Sequence, residues 1–428
     1  MGARVLIVGT GAREHAIALK LRQSPHVDEI FVAPGNPGTA AVATNLGVQP
    51  KDIEAIVRAA VANRVDFYLA SSDDPQALGL VDRLQEQGIL CYGPTQAAAQ
   101  IEASKAWAKQ FMWKHAIRTA TGLVFDDYRL AFQHVSSLPE GPMVVKASGL
   151  AAGKGAIVCD NQQEALDAID QIMVRRAFGD AGNQVVVEER LSGWETSAHA
   201  FCDGKTAVMM PFASDHKRAL DGDLGLNTGG MGAYSPSERV TAELAETIRL
   251  DVVEPAIRGM AEGGTPFSGI LFPGLMVTES GPYVIEFNAR WGDPETQALL
   301  VRLESDLFEI SHAAALGKLH EARVEWSPEP SVAVVIASGG YPGSYPTGLE
   351  ITGIDDVDPN VLVLHAGTAL DAHGRLVTAG GRVLTVVVRA PTFAEARARA
   401  YDNVRRIHFD GMHYRTDIGA AALTSAAT

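Results

Sequence analysis

Residues 282–297 read PYVIEFNARWGDPETQ. The run opens with Tyr283, Val284, Ile285 and Phe287, apolar residues of strand-forming type. It closes on Gly292, Asp293 and Pro294, which break any regular element. Along an extended strand, side chains two apart share a face. Glu286, Asn288 and Arg290 therefore line up as carboxylate, amide and guanidinium. Carboxylate and amide oxygens suit a Mg2+ ion that keeps phosphate oxygens in its shell. A guanidinium beyond them can neutralise a phosphoryl group in transfer. The same pattern also fits an edge strand with a solvated polar face. The stretch thus predicts a strand and a turn, and leaves the choice of chemistry to its surroundings.

Working upstream, 269–277 (GILFPGLMV) is an apolar strand that pairs with this one as a hairpin, after a helix over 242–261. Residues 197–201 and 207–212 read as antiparallel strands. Asp215, His216, Lys217 and Arg218 follow, then LGLNTGGMGAYSP (224–236), a glycine-dense loop long enough to be functional. In it Thr228, Gly229 and Gly230 can approach a small substrate by backbone. A strand at 142–146 (PMVVK) runs through ASGLAAGKG (147–155) into a strand at 156–159. That is a glycine-rich hairpin with Lys146 and Lys154 at its shoulders, and no helix follows as a Walker loop requires. Backbone N–H groups freed by Gly153 and Gly155 can wrap a polyphosphate, or the turn is a flexible hairpin with two solvated lysines. A helix over 163–173 and a strand over 184–189 come next, the strand ending on Glu188 and Glu189. Such a strand end can read adenine by backbone while a carboxylate like Glu195 takes the ribose hydroxyls. Paired glutamates at a strand end are also commonly just solvated.

The N-terminal part alternates strands (4–8, 29–33, 66–70, 89–92) with helices (16–22, 52–62, 76–87), the pattern of a doubly wound parallel sheet. Its ligand crevice lies at the carboxyl ends of the strands, where Gly9, Gly11, Gly35, Asn36, Gly38 and the 71–75 turn (SSDDP) fall. Glu14 stands where a dinucleotide fingerprint needs its third glycine, which weakens a nicotinamide reading. A helical pattern covers 95–115, with Lys105 inside it. After Trp326, Ser327 and Pro328 the composition shifts to strands at 332–337 and 382–389, a turn at 339–343 and a helix over 394–407, a small α+β unit.

The totals narrow the function classes. A chain of 428 residues exceeds one core, and length alone suggests about three domains. A net charge of −15 argues against nucleic acid as a partner. Cys91, Cys159 and Cys202 have no metal-type spacing and fit a reducing compartment. The N-terminus lacks a signal-peptide pattern and no apolar run is long enough for a membrane span, so the expectation is a cytoplasmic protein without a membrane partner. The absence of heptads and long apolar patches leans towards a monomer or weak dimer.

Taken together, the motifs GTGAREHA (9–16), APGNPGTA (33–40), GLAAGKG (149–155), FGDAG (178–182), DHKR (215–218), NTGGMGAYSP (227–236), VIEFNARWGDPETQ (284–297), HAGT (365–368) and GGRVL (380–384) carry a resemblance along essentially the whole chain. The chain resembles the phosphoribosylamine–glycine ligase family of the ATP-grasp superfamily. The resemblance implies a multidomain α/β and α+β fold: an N-terminal parallel α/β domain (1–100), a split ATP-grasp centre (101–120 and 190–327), its flap subdomain (121–189) and a small C-terminal α+β domain (328–428). It implies ATP and Mg2+ (or Mn2+), with glycine and 5-phosphoribosylamine joined through glycyl phosphate. Metal positions match Glu286 and Asn288. Catalytic positions match Arg290, Asp215 and Lys217. Nucleotide positions match Lys105, Lys146, Gly153, Lys154, Gly155, Glu188, Glu189, Leu191 and Glu195. Substrate positions match Gly11, Arg13, Glu14, Asn36, Gly38, Thr39, His216, Thr228, Gly229, Gly230, Asp293 and Pro294.

The sequence departs from the family pattern at 71–76 (SSDDPQ, usually GPEAPL), Ser148, Trp194, Ser214, Leu226, Ala289 and Trp291. Several of these lie where the amine should bind. A related ligase for another amine therefore stays open, as do a non-catalytic nucleotide binder and, more distantly, a nicotinamide oxidoreductase.

Overall fold

In the computed structural model, residues 2–151 and 155–425 are described. Strand Ala3–Gly9 sits at the middle of a five-stranded parallel sheet, flanked by Val27–Pro34 and Thr44–Asn45 on one side and Phe67–Leu69 and Leu90–Tyr92 on the other. Val5, Leu6, Ile7 and Val8 are all fully buried, because both faces are covered. Val5 and Ile7 pack towards Trp291, Leu299 and Leu307, and Leu6 and Val8 towards Ile56, Val57 and Leu80. Alternate side chains of one strand thus join the parallel sheet to the centre of the molecule.

Two expected helices are each two helices. The run at 76–87 divides into Asp74–Ala77 and Leu80–Gln85, because Gly79 takes φ +83°. The run at 95–115 divides into Gln96–Ala103 and Lys105–Lys114. Ser104 between them is extended and accepts the Trp107 N–H as an N-cap. The break has a functional result: it places Glu102 at the end of one helix and Lys105 at the start of the next, both facing the central hairpin.

That hairpin pairs Ser268–Thr278 with Gly281–Asn288 inside an antiparallel five-stranded sheet, with Trp194–Ser197, Ala200–Asp203 and Ala207–Met209 as its other members. Its register slips after Gly274, so Glu286 pairs with Gly274 and Val284 with Leu275. Ile285 is left out of the ladder, and its freed carbonyl accepts the Lys146 ammonium at 2.9 Å. Gly122–Phe125, Val185–Glu189, Met143–Ala147 and Ala156–Cys159 form a separate four-stranded antiparallel sheet.

The 224–236 stretch is not the long loop its glycines predict. It holds strand Leu224–Asn227, paired with Arg218–Leu220, and strand Gly232–Ser235. The second strand is recruited by Ser331–Ala337, with Ala233 opposite Ala333 and Tyr234 opposite Val332. A Cβ on Gly232 would meet the Ala333 carbonyl at 2.7 Å, so glycine is what lets the strands close. The resulting sheet runs Ser214–Asp215, Gly232–Ser235, Ser331–Ala337, Arg382–Arg389, Leu362–His365. The C-terminal α+β unit therefore shares its sheet with the middle of the chain. Among the described residues no helix is long and apolar enough to cross a membrane. The multidomain α/β and α+β architecture agrees with the expectation.

Candidate active site

The polar row on Gly281–Asn288 forms the centre. The Glu286 carboxylate lies 3.7 Å from the Lys105 ammonium. Burial opposes its charge, but Lys105, Lys217, Lys146 and Arg290 outweigh burial and hold its carboxyl below the usual range. Asn288 is anchored by donating Nδ2 to the Phe272 carbonyl at 3.1 Å, which turns Oδ1 towards Arg290. Arg290 donates to Asn288 Oδ1, to Glu102 and to the Trp291 carbonyl, each at 3.1 Å. Glu102 also accepts the Ala289 N–H at 2.7 Å. Its carboxyl is pushed up to about 7, chiefly by burial and against the pull of Arg290. Sequence reasoning missed Glu102, which looked like any polar helix residue.

Behind this row lies a buried ion triad. Glu188 pairs with Lys146 and with Lys109, the latter at 2.6 Å. Lys109 further donates to Thr119 Oγ1 and the Ala120 carbonyl, both at 2.9 Å. Glu188, expected at the nucleotide, points inward as a counter-ion, because the two ammonium groups beside it need a charge partner once buried. Glu189 is exposed and accepts the Thr121 N–H at 2.7 Å. Leu191 follows that strand end. Gly153 and Lys154 lie outside the described residues, whereas the Gly155 carbonyl accepts the Ala147 N–H at 2.8 Å.

Glu195 faces Lys217 across 2.7 Å. Burial works against the Lys217 charge, yet Glu195, Glu286 and Asp215 together raise its pKa. The Asp215 carboxyl is raised well above the usual range by burial and by the Glu295 carboxylate, and its Oδ1 has no hydrogen-bond partner. His216 is lowered to about 4 by burial and the Arg415 guanidinium, and its ring lies beside Tyr234. His199, another residue the sequence reading passed over, is fully buried against Phe272 with neither ring nitrogen bonded. Burial and then Arg290 lower it to about 3, so it is neutral.

The loop at 228–230, expected to approach a small substrate by backbone, spends its N–H groups on the protein. Thr228 N–H donates to the Lys217 carbonyl, Gly229 to Tyr341 Oη, Gly230 to Thr228 Oγ1, and Met231 to the His216 carbonyl. Gly230 is buried while Gly229 is exposed, so the bonds tie a surface loop to the core beneath it. Gly230 has φ +108°, and a Cβ there would sit 2.3 Å from Pro294 Cδ and 2.8 Å from Asp215 Oδ1. The loop thus presents a shape to the Asp293–Pro294 turn.

The N-terminal crevice closes on the same turn. Gly11 N–H donates to Glu14 at 2.8 Å, and Arg13 donates to Glu14 at 2.7 Å and to the Trp291 carbonyl at 3.1 Å. A Cβ on Gly11 would lie 3.5 Å from the Asp293 carboxylate. Asn36 donates to the Thr10 and His365 carbonyls at 2.8 Å each, and Thr39 donates to the Asn36 carbonyl. Gly38 packs under His15 and His365. Contacts thus link Lys105, Lys146, Glu286, Asn288 and Arg290 on one side, and Gly11, Arg13, Asp215, Gly229, Gly230, Asp293 and Pro294 on the other, and add Lys109, Tyr341 and Arg382 to them.

Family models for phosphoribosylglycinamide synthetase match end to end: the N domain over 3–102, the ATP-grasp (A) domain over 103–296 and the C domain over 331–421. A phosphoribosylamine–glycine ligase of Rhodopirellula baltica is 45% identical over 430 residues, covering 99% of this chain and 98% of the relative. This chain belongs to the phosphoribosylamine–glycine ligase family. A crystal structure of a Thermotoga maritima phosphoribosylamine–glycine ligase superposes with a TM-score of 0.82 at 33% identity, covering 97% of this chain and 99% of that one. The biotin carboxylase domain of Hydrogenobacter thermophilus 2-oxoglutarate carboxylase, solved with ADP and magnesium, shares the fold at a TM-score of 0.73 and 17% identity, covering 97% of this chain and 92% of that one.

Within this family pattern, several of the divergent positions have visible contacts. Ser148 Oγ accepts the Ala106 N–H at 3.0 Å, Ser214 Oγ donates to Ser237 at 2.9 Å, and Trp194 carries the Arg239 guanidinium 4.3 Å over its ring. Ser71 and Ser72 both donate to the Val8 carbonyl. Asp73 stays ionised despite burial because Arg290 and Arg13 face it. The donor set of Glu286 and Asn288 fits a hard divalent cation: one carboxylate, and one amide whose nitrogen is spent on Phe272, leaving its oxygen, which accepts from Arg290, to offer its remaining lone pair.

Proposed function

We propose that this chain is an ATP-dependent, ADP-forming ligase that joins glycine to 5-phosphoribosylamine, giving glycinamide ribonucleotide, ADP and phosphate. What carries the reading is the convergence of Lys105, Lys146, Lys217 and Arg290 on Glu286, in a chain of this family along its whole length. A glycine carboxylate oxygen attacks the γ-phosphorus of ATP, and the bond to the ADP oxygen breaks. The amine nitrogen then attacks the acyl carbon, the carbon–oxygen bond to phosphate breaks, and phosphate leaves. Phosphoryl transfer to a carboxylate asks for positioning and charge neutralisation more than for a protein nucleophile. Lys105 and Lys146 hold phosphate oxygens, and Arg290 meets the charge of the transferring group. Glu286 and Asn288 would hold Mg2+ or Mn2+, which when bound adds further neutralisation of phosphate charge. Asp215 and Lys217 border the acceptor side, and the proton that the amine nitrogen sheds leaves with the released phosphate or passes to solvent.

The flap at 149–155, with Gly153 and Lys154, would cover the phosphates, while Glu189, Leu191 and Glu195 would hold the nucleoside. Gly11, Arg13, Asn36, Gly38 and Thr39 would face the sugar phosphate, and Asp293 and Pro294 the junction of the two substrates. The enzyme would work in the cytoplasm as a monomer or weak dimer, without nucleic acid. ADP release from purified protein, with ATP, Mg2+ and glycine, with and without freshly generated 5-phosphoribosylamine, tests the reading. ADP formation needing both substrates, with product seen by mass, is the expected result. ATP binding without turnover on that pair would shift the reading to another amine.

A further inference from the structure

The C-terminal unit reaches into the acceptor side with two side chains, and we infer that Arg382 and Tyr341 are positioning residues that fix the substrate loop at 228–230. Arg382 leaves strand Arg382–Arg389 and donates to the Gly229 carbonyl at 2.6 Å, the Asp293 carbonyl at 2.9 Å and the Asp293 carboxylate at 2.9 Å. Tyr341 Oη accepts the Gly229 N–H at 2.9 Å. Both backbone polar groups of Gly229 are therefore held from the same distant unit, one by each side chain. The seat for Tyr341 is cut by Gly381, where a Cβ would lie 2.2 Å from the tyrosine ring. One glycine thus serves both anchors, since Arg382 follows Gly381 directly.

The clamp matters because the loop has no slack. Gly230 is wedged against Pro294 and Asp215, so any shift of Gly229 moves the wall that borders the Asp215 carboxyl. The planar guanidinium spans two carbonyls and a carboxylate at once, which an ammonium on a flexible stem cannot reproduce. Displacements near 1 Å are enough to cost about a hundredfold in a positioned reaction. The ATP side shares none of these three bonds. The C-terminal unit is on this view part of the acceptor site, and the inference rests on the ligase reading above for the identity of the substrates.

The test uses the full-length chain, Arg382→Lys and Tyr341→Phe, with two independent readouts. Hydrogen exchange at 228–231 in the protein alone should speed up about tenfold in both variants, since each loses a tether on Gly229. In kinetics, KM for glycine or the amine should rise about tenfold while KM for ATP stays within about twofold. Unchanged exchange in both variants overturns the inference, and so does faster exchange with no KM change, or with an equal change for ATP. If the wild-type protein does not turn over with this substrate pair, the ligase reading fails, and exchange alone then decides whether the clamp exists.

Discussion

The proposed nucleotide and acceptor sides of the site are built on different plans. On the proposed nucleotide half, charge is concentrated: Lys105, Lys146 and Arg290 around Glu286, with Glu188 shared by Lys109 and Lys146 behind them. On the proposed acceptor half, charges are paired off, Arg382 with Asp293, Arg13 with Glu14 and Lys217 with Glu195, the N–H groups at 228–231 are tied, and His199 is kept uncharged. The difference teaches what each half has to do. Polyphosphate and a moving phosphoryl group need strong fields that exist before the substrate arrives. A small zwitterion and a sugar-phosphate amine need a fixed outline, which paired charges and hydrogen-bonded backbone supply.

The contrast can be broken in four places. Glu286→Gln keeps shape and removes charge, and should cut turnover by about a thousandfold or more, read as ADP release with circular dichroism unchanged. Arg290→Lys keeps charge but loses the fork that joins Glu102, Asn288 and Trp291, and should cost about a hundredfold in kcat. Its KM for ATP should barely move. Lys109→Met leaves Glu188 with Lys146 alone, so Lys146 is drawn back from phosphate. KM for ATP should rise about tenfold while the glycine KM holds, and equal rises for both would dissolve the distinction between halves.

The smallest effect belongs to His199, and it concerns stability. Its folded pKa is lowered to about 3 from an unfolded value of 6.5. Between those values the unfolded chain binds a proton that the folded core refuses. Stability is therefore complete above pH 6.5 and declines as pH falls towards 3. His199→Leu should flatten part of that acid limb in thermal melts taken between pH 7 and pH 4, with activity at neutral pH changed by no more than about twofold. A limb of unchanged slope would show that His199 is not carried neutral in the core.

How much of this was legible depended on whether partners were close in sequence. Strand 282–288 announced itself by β-forming residues, and the pairing of Glu286 with Asn288 on one face was readable from period two, whereas Arg290 lies in the bend past the strand end and reaches Asn288 by its own turn. The parallel sheet at the N-terminus was equally plain from its strand–turn–helix rhythm. The 224–236 stretch was misread because glycine density speaks for a loop locally. The pairing of Ala233 with Ala333, a hundred residues away, overrides it. Glu102 and Lys109 looked like ordinary helix polarity until folding set them against Arg290 and Glu188. Arg382 was visible only as part of a motif, and its target on Gly229 lies 153 residues upstream.

The strand Gly232–Ser235 has a consequence for how this chain can be cut or rearranged. It is flanked by Ser214–Asp215 on one side and by Ser331–Ala337 on the other. Removing everything beyond residue 330 would leave its outer rim of N–H and C=O groups bare beside an uncovered Tyr234. Such a rim recruits other chains. A protein shortened at that seam should precipitate during expression instead of surviving as a smaller nucleotide binder, so the last hundred residues are a share of the framework that gene rearrangement cannot shed on its own.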